Sequence, residues 1–249
     1  MSRLDRALGL ARSVVTYHAI PFRQRRMRAL YGTFVEPGDL VFDIGAHAGN
    51  RVRAFRALGC RVVAVEPQPD FVWMLRWLLG RSPDVEILPA AVSETEGTAR
   101  LSVSDRTPTV STLAHEWREE RAEEPDFAGV EWNRHIEVET TTIDALIARF
   151  GVPAFVKIDV EGGELDVLRG LSRPVPALSF EYLPRALGAA DACLQRLLEL
   201  GPYEFNWSRG ETNRFVATSW LDHRQLIRRI RDAHEQRNGD IYARLPPRD

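Results

Sequence analysis

Three carboxylates crowd one short stretch, VKIDVEGGELDVLRGL at 156–171: Asp159, Glu161 and Glu164. The apolar run before them predicts a strand, so the acids fall at its carboxyl end and in the turn that follows. Gathering negative charges there raises their mutual repulsion, which a cation, a shared proton or solvent must relieve. A fourth acid, Glu181, ends the run PALSFE and is expected at the same mouth. Such groups can take a proton from a hydroxyl, and Asp159, Glu161, Glu181 and His115 are the candidate catalytic residues. Asp159, Glu161 and Glu181 could also hold Mg²⁺, since a hard cation takes oxygen ligands, but no dedicated ligand motif is present and no metal is expected. The plainer alternative for each acid is a charge at a helix N-terminus.

A second group of residues begins with VFDIGAHAGN at 41–50, where Asp43, Gly45 and Gly49 form D-x-G-x-x-x-G. Glycines allow a tight turn and the approach of a ligand to the backbone amides. Glu66 ends RVVAVE, 21 residues beyond Gly45, where a carboxylate can accept two hydrogen bonds from a ribose diol. A fixed charge on Asp43 would repel a pyrophosphate, which wants the glycine amides to itself. It suits a ligand with an amino group or a sulfonium, and S-adenosylmethionine has both, together with a ribose. Nicotinamide binding would want G-x-G-x-x-G, and this chain has one residue too many between its glycines.

Elements that alternate are needed to bring these groups together. LVFDI and RVVAVE are short, continuously apolar runs, as strands buried on both faces of a parallel sheet must be. Val52, Phe55 and Leu58 recur between them at helical spacing, and Ile143, Leu146, Ile147 and Phe150 mark another helix before AFVKIDV. The expected fold is α/β, a Rossmann-like, doubly wound and mostly parallel sheet. An N-terminal helical extension is expected over 1–35 and the main domain over 36–249, with an irregular insert at about 102–138. In that insert TVST (109–112) offers hydroxyls to a cofactor edge, while Trp117 and Trp132 offer flat faces to a sugar or macrocycle. In the tail, YEFNW (203–207) and RFVAT (214–218) could pair as antiparallel strands, a basic helix is expected over 221–236, and DIYAR reads as an edge strand.

VFDIGAHAGN, AVEPQPD, PAAVS, TTIDAL, VKIDVEGGELDVLRGL and SFEYLP, in this order, resemble the FkbM family of S-adenosylmethionine-dependent methyltransferases. The resemblance runs over about 38–183 and is most specific at KIDVEG. It implies a class I methyltransferase fold and S-adenosyl-L-methionine as cofactor. Asp43, Gly45 and Gly49 would then cradle the methionine moiety, Glu66 would hold the ribose, and Ala91 and Val92 would border the adenine. Asn50 and Pro67, in the same two loops, join the cofactor-binding set, and Asp159 and Glu161 would face donor and acceptor. This chain departs from the family where Gly163 replaces a commonly larger residue. The implied activity is O-methylation of a hydroxyl on a sugar, glycan or polyketide-type small molecule; the alternative is a scaffold of the same fold that binds the cofactor without turnover.

The bulk composition narrows partners. Thirty-three basic against thirty-five acidic residues give a formal charge of −2, without the overall basic footprint of a nucleic-acid binder. The one local patch, RQRRMR at 23–28, reads as a solvated helix face or as a contact with an anionic substrate or membrane surface. Cys60 and Cys193 show no metal-ligand spacing and read as reduced core thiols. Charged residues interrupt the N-terminal apolar positions, and no run reaches the roughly 20 apolar residues of a membrane span. A cytoplasmic protein is expected.

Overall fold

The apolar runs that carry no helical period become the strands of one large sheet. The structure is a computed structural model, and it describes residues 23–114, 130–233 and 237–246. Helix α1 (Arg23–Tyr31) precedes strand β1 (Leu40–Ile44), α2 (Asn50–Ala57), β2 (Arg61–Val65), α3 (Pro69–Leu79) and β3 (Val85–Leu88). After β4 (Ala91–Val92), β5 (Gly97–Val103) and β6 (Arg134–Thr141), the alternation resumes with α4 (Ile143–Phe150), β7 (Phe155–Ile158), α5 (Glu164–Arg169), β8 (Ala177–Tyr182) and α6 (Leu187–Leu200). Strand β9 (Glu204–Trp207), helix α7 (His223–Asp232) and strand β10 (Gly239–Arg244) complete the chain.

The seven-stranded sheet has the order β3-β2-β1-β7-β8-β10-β9. In it β3, β2, β1, β7 and β8 run parallel, and β10 runs antiparallel between β8 and β9. The chain winds outward from β1 in one direction and from β7 in the other, so the crevice opens beyond the carboxyl ends of these two strands. Winding in opposite directions also puts the helices on opposite faces. On one face α1, α2 and α3 bury Met27, Tyr31, Phe55 and Leu75 against Val41, Ala64 and Phe155. On the other, α4 to α7 bury Leu146, Leu168, Leu194 and Leu226 against Phe42, Ile44 and Ile158. Each such fully buried side chain contributes about 1.5–3 kcal/mol of transfer free energy. None of the helices among the described residues is long and apolar enough to cross a membrane.

Three expectations are corrected. The ends of the segment taken as an irregular insert, 102–138, are regular: β5 and β6 pair antiparallel from Gly97↔Thr140 to Val103↔Arg134, and with β4 they form a second sheet. Strand β6 alternates exposed His135, Glu137 and Glu139 with more buried Ile136 and Val138, the pattern of a sheet wet on one side. RFVAT is not a strand. It lies along β9 through Val216 N–H to the Trp207 carbonyl (2.9 Å) and Asn206 Nδ2 to the Ala217 carbonyl (2.9 Å), where a side-chain amide takes the place of a ladder bond. DIYAR is not at an edge either, because β10 sits between β8 and β9 and Ile241, Tyr242 and Ala243 are wholly buried.

Candidate active site

At the end of β1, Gly45 has φ +78°, and a Cβ built on it would lie 1.8 Å from the backbone carbonyl oxygen of Asp159. A glycine is therefore required where β1 approaches β7, whose Asp159 N–H donates to the Ile44 carbonyl at 2.9 Å. The turn that follows aims its amides at Glu66. His47 N–H donates to one carboxylate oxygen and Gln68 N–H to the other, each at 2.9 Å, and Glu66 is only 1% exposed. Burial pushes this carboxyl up, while His47 and the two amides pull it back, leaving it above its ordinary value. Each oxygen retains capacity for a further hydrogen bond.

A cavity of about 250 Å³ opens beside it, with Gly45, Glu66, Pro67, Ala91, Val92 and Asp159 in its wall. Apolar Val65 and Leu101 complete a slot suited to a flat ring, and carboxylates stand at two places along it, Glu66 and Asp159. An acid oriented by two amides fits a diol, and the slot fits a base, so the residues present fit an adenosyl group. Gly163 also lines this cavity, so the chain's departure from the family pattern falls on its wall.

Asp43, Gly49 and Asn50 lie outside that lining. Side chains alternate along a strand, and since Ile44 faces the cavity side, Asp43 turns to the face covered by α1 and α2. Asp43 is wholly buried, and neither carboxylate oxygen accepts a hydrogen bond among the described residues. Burial pushes it up to about 7, against the pull of Arg51 and Lys157. Gly49 sits at φ +75°, the left-handed region that favours glycine, and a Cβ there would also press on the end of the Leu75 side chain of α3 at 2.7 Å. Asn50 is buried at the start of α2 and its backbone carbonyl accepts from Gln24 Nε2 at 2.9 Å.

Across the crevice, Asp159 is gripped by Arg51 at 2.7 Å. Burial works against its charge, but Lys157, Arg51 and His47 outweigh burial and hold it down at about 2. Lys157, a wholly buried cation on β7, donates to Asp240 at 3.0 Å. Burial opposes that charge as well, yet Asp159 and Asp240 keep it protonated. Glu161 and Glu181 are less buried, and their oxygens and one of Asp159 lie within 4.8 Å of one another. That set could hold a cation. Burial, then repulsion from Glu181 and Asp159, raises Glu161 well above the carboxylate range, and burial with Asp159 raises Glu181 to about 8. Glu181 also accepts from Asn238 Nδ2 at 2.6 Å. A small recess between α5 and α6 continues from these acids, with Glu161, Glu164, Glu181 and Tyr182 in its wall.

A segment from the loop after β5 ties the two sides together. Ser111 Oγ donates to Gln68 Oε1 (3.2 Å) and the Pro108 carbonyl (2.8 Å), while Thr112 Oγ1 donates to the Glu161 carbonyl (2.6 Å). Of the TVST hydroxyls, that of Ser111 lies in the cavity wall while donating to the protein, and that of Thr112 donates to the Glu161 carbonyl. Trp132 Nε1 donates to the Val110 carbonyl at 2.9 Å and so supports the same segment. His115 and Trp117 lie outside the described residues. Reasoning from sequence missed Arg51, Lys157, His47 and Gln68. Only Lys157 left a signal, as a charged residue inside an otherwise apolar strand.

The profile of the Methyltransferase FkbM domain matches residues 43–218 of this chain. No curated protein matches it in sequence. Among solved structures, it is similar to a precorrin-6y C5,15-methyltransferase from Geobacter metallireducens, with a TM-score of 0.45 and 13% identity over 90% of this chain and 87% of the other. Fibrillarin from Aeropyrum pernix, solved with natively bound S-adenosyl-L-methionine, gives 0.43 and 12% over 84% and 68%. A putative RNA methyltransferase from Pyrococcus horikoshii gives 0.43 and 12% over 88% and 80%. With more than half its length matched by that one profile, the chain belongs to the FkbM family of S-adenosylmethionine-dependent methyltransferases.

Proposed function

We propose that the protein methylates a hydroxyl oxygen of an uncharged sugar, glycan or polyketide-type small molecule. The observation that carries this reading is the acid cluster of Asp159, Glu161 and Glu181 at the mouth of the cavity. An aliphatic hydroxyl is a poor nucleophile until a base takes its proton, and a carboxyl raised to about 8, as at Glu181, has a basicity suited to that task near neutrality. When bound, S-adenosylmethionine supplies a methyl group on a positively charged sulfur. Glu66, with both oxygens already oriented by amides, would hold the ribose hydroxyls; Val65, Ala91, Val92 and Leu101 would enclose the base. Asp159, ionised in the grip of Arg51, favours a positive charge nearby. The repulsion among the acids disfavours an acceptor that carries phosphate or carboxylate beside its reacting hydroxyl.

The test is transfer of labelled methyl from S-adenosylmethionine to a panel of hydroxylated sugars and macrolides, with calorimetry of the cofactor and of S-adenosylhomocysteine alongside. Label in an ether linkage, reduced in Glu181→Gln at unchanged cofactor affinity, is the expected result. Label on nitrogen or carbon would overturn the assignment to oxygen, and affinity without transfer to any acceptor would favour the scaffold.

A further inference from the structure

On helix α3, Trp73 and Trp77 stand four residues apart and so project from one side of the helix. They are 68% and 72% exposed, and Leu78 beside them is 40% exposed. Trp73 and Trp77 belong to a large apolar type that folding ordinarily covers. Arg76 lies between them, Arg81 follows, and both are exposed. The rest of that helical layer is basic as well. Helix α1 exposes Arg25, Arg26 and Arg28, and neither α1 (RQRRMRALY) nor α2 (NRVRAFRA) contains an acid. The one acid of α3 is Asp70, in its first turn. Helices α1 to α3, packed on one face of the sheet, thus set exposed arginines and tryptophans outward, with two acids, Glu137 and Glu139, in the recess that Trp73 and Arg76 share with β6.

Three partners can be weighed by chemistry. A second copy of this chain applied through a two-fold axis would set arginine against arginine. A nucleic acid would satisfy the arginines along its phosphates but leaves an exposed leucine without an apolar partner. An anionic bilayer surface meets the helical groups: indole rings sit at headgroup level, leucine reaches the acyl boundary, and arginines meet the lipid phosphates. We infer that the outer face of α1 to α3 docks on a membrane surface rich in anionic lipid, with Trp73, Trp77 and Leu78 entering the headgroup region. Helix α3 springs from Pro67 and Gln68, both in the cavity wall, so docking holds the candidate active site close to the bilayer.

The full chain is tested by flotation with phosphatidylcholine vesicles, with and without phosphatidylglycerol. Binding to the anionic vesicles alone, weakening as salt rises, is expected. Trp73→Ser with Trp77→Ser, and separately Arg76→Glu with Arg81→Glu, should each weaken it by about tenfold or more. Both are exposed-side substitutions, and an unchanged thermal midpoint by circular dichroism shows that the fold is retained. Wild type that stays with the buffer, or variants that bind as well as wild type, overturn the inference. So does a wild type that ignores vesicles but dimerises through this face, or that binds RNA instead.

Discussion

Glu66 and Glu181 stand at the carboxyl ends of parallel strands of one mostly parallel sheet, yet they are held by different means. Glu66 receives two backbone amides from the turns beside it, so its position is set by chain geometry. Glu181 takes one hydrogen bond from the Asn238 side chain and otherwise faces Glu161 and Asp159, whose charges repel its own. The β1–β2 half of the crevice is thus ready before a ligand arrives, whereas the β7–β8 half holds proton affinity in reserve. Preorganised donors suit binding, and raised carboxyls suit proton transfer.

The severest way to break this comparison is at the seam between the halves. In Gly45→Ala the new methyl meets a backbone carbonyl, which cannot swing aside, so β1 and β7 must separate. A loss of more than about 4 kcal/mol of stability is expected, read as failure to give a cooperative thermal transition. A stable variant would show that the seam is looser than the register implies.

Next in size is Arg51→Ala, which leaves Asp159 charged, buried and without its partner at 2.7 Å. Removing one member of a buried pair costs about 3–5 kcal/mol, measurable by urea unfolding. Arg51→Lys should recover part of it. Equal stability of all three proteins would mean that Lys157 alone holds Asp159.

These two residues also mark how much the sequence disclosed. Gly45 and Glu66 were legible because their constraint is local: a strand end, a turn, a carboxylate at a fixed distance along the chain. Asp159, Glu161 and Glu181 were legible as neighbours because adjacent parallel strands end at one edge, with Ile158 opposite Phe180. Arg51 was not, since nothing within α2 says that its guanidinium reaches across the seam to β7. That Asp43 lies outside the cavity lining was not legible for a related reason. The side a strand residue faces depends on which layer covers which face, and that is settled only once Ile44 is seen in the cavity wall. Strand β6 was missed too, its alternation hidden by the proline and charge of the loop before it. Placing β10 inside the sheet required long-range pairing that the few residues of DIYAR do not encode.

A smaller effect sharpens the acceptor side. Glu181→Gln should lower kcat by about 100-fold and leave cofactor affinity unchanged, because Glu181 is not in the wall of the larger cavity. As a base, Glu181 works when ionised, so wild-type kcat should rise as pH passes about 8, and the variant should lose that limb. A variant that weakens cofactor binding as much as turnover would merge the two halves into one.

Asp43→Asn should have the mildest consequence for activity and asks whether the β1–β2 half depends on its buried charge. Burial raises Asp43 from 3.8 to about 7 in the folded protein. A carboxyl raised on folding contributes stability that is present below its unfolded pKa and lost as pH climbs through the folded one. Wild type should therefore fall behind the asparagine variant as pH rises from 3.8 to about 7, and the gap should stay constant above. That rise corresponds to about 4 kcal/mol, which for a chain of this length is on the order of ten degrees in Tm. Cofactor affinity should change little, since the side chain lies on the face away from the cavity. If affinity collapses while the pH dependence of Tm stays flat, the carboxylate acts on the ligand after all, and the β1–β2 half is not fixed by backbone alone.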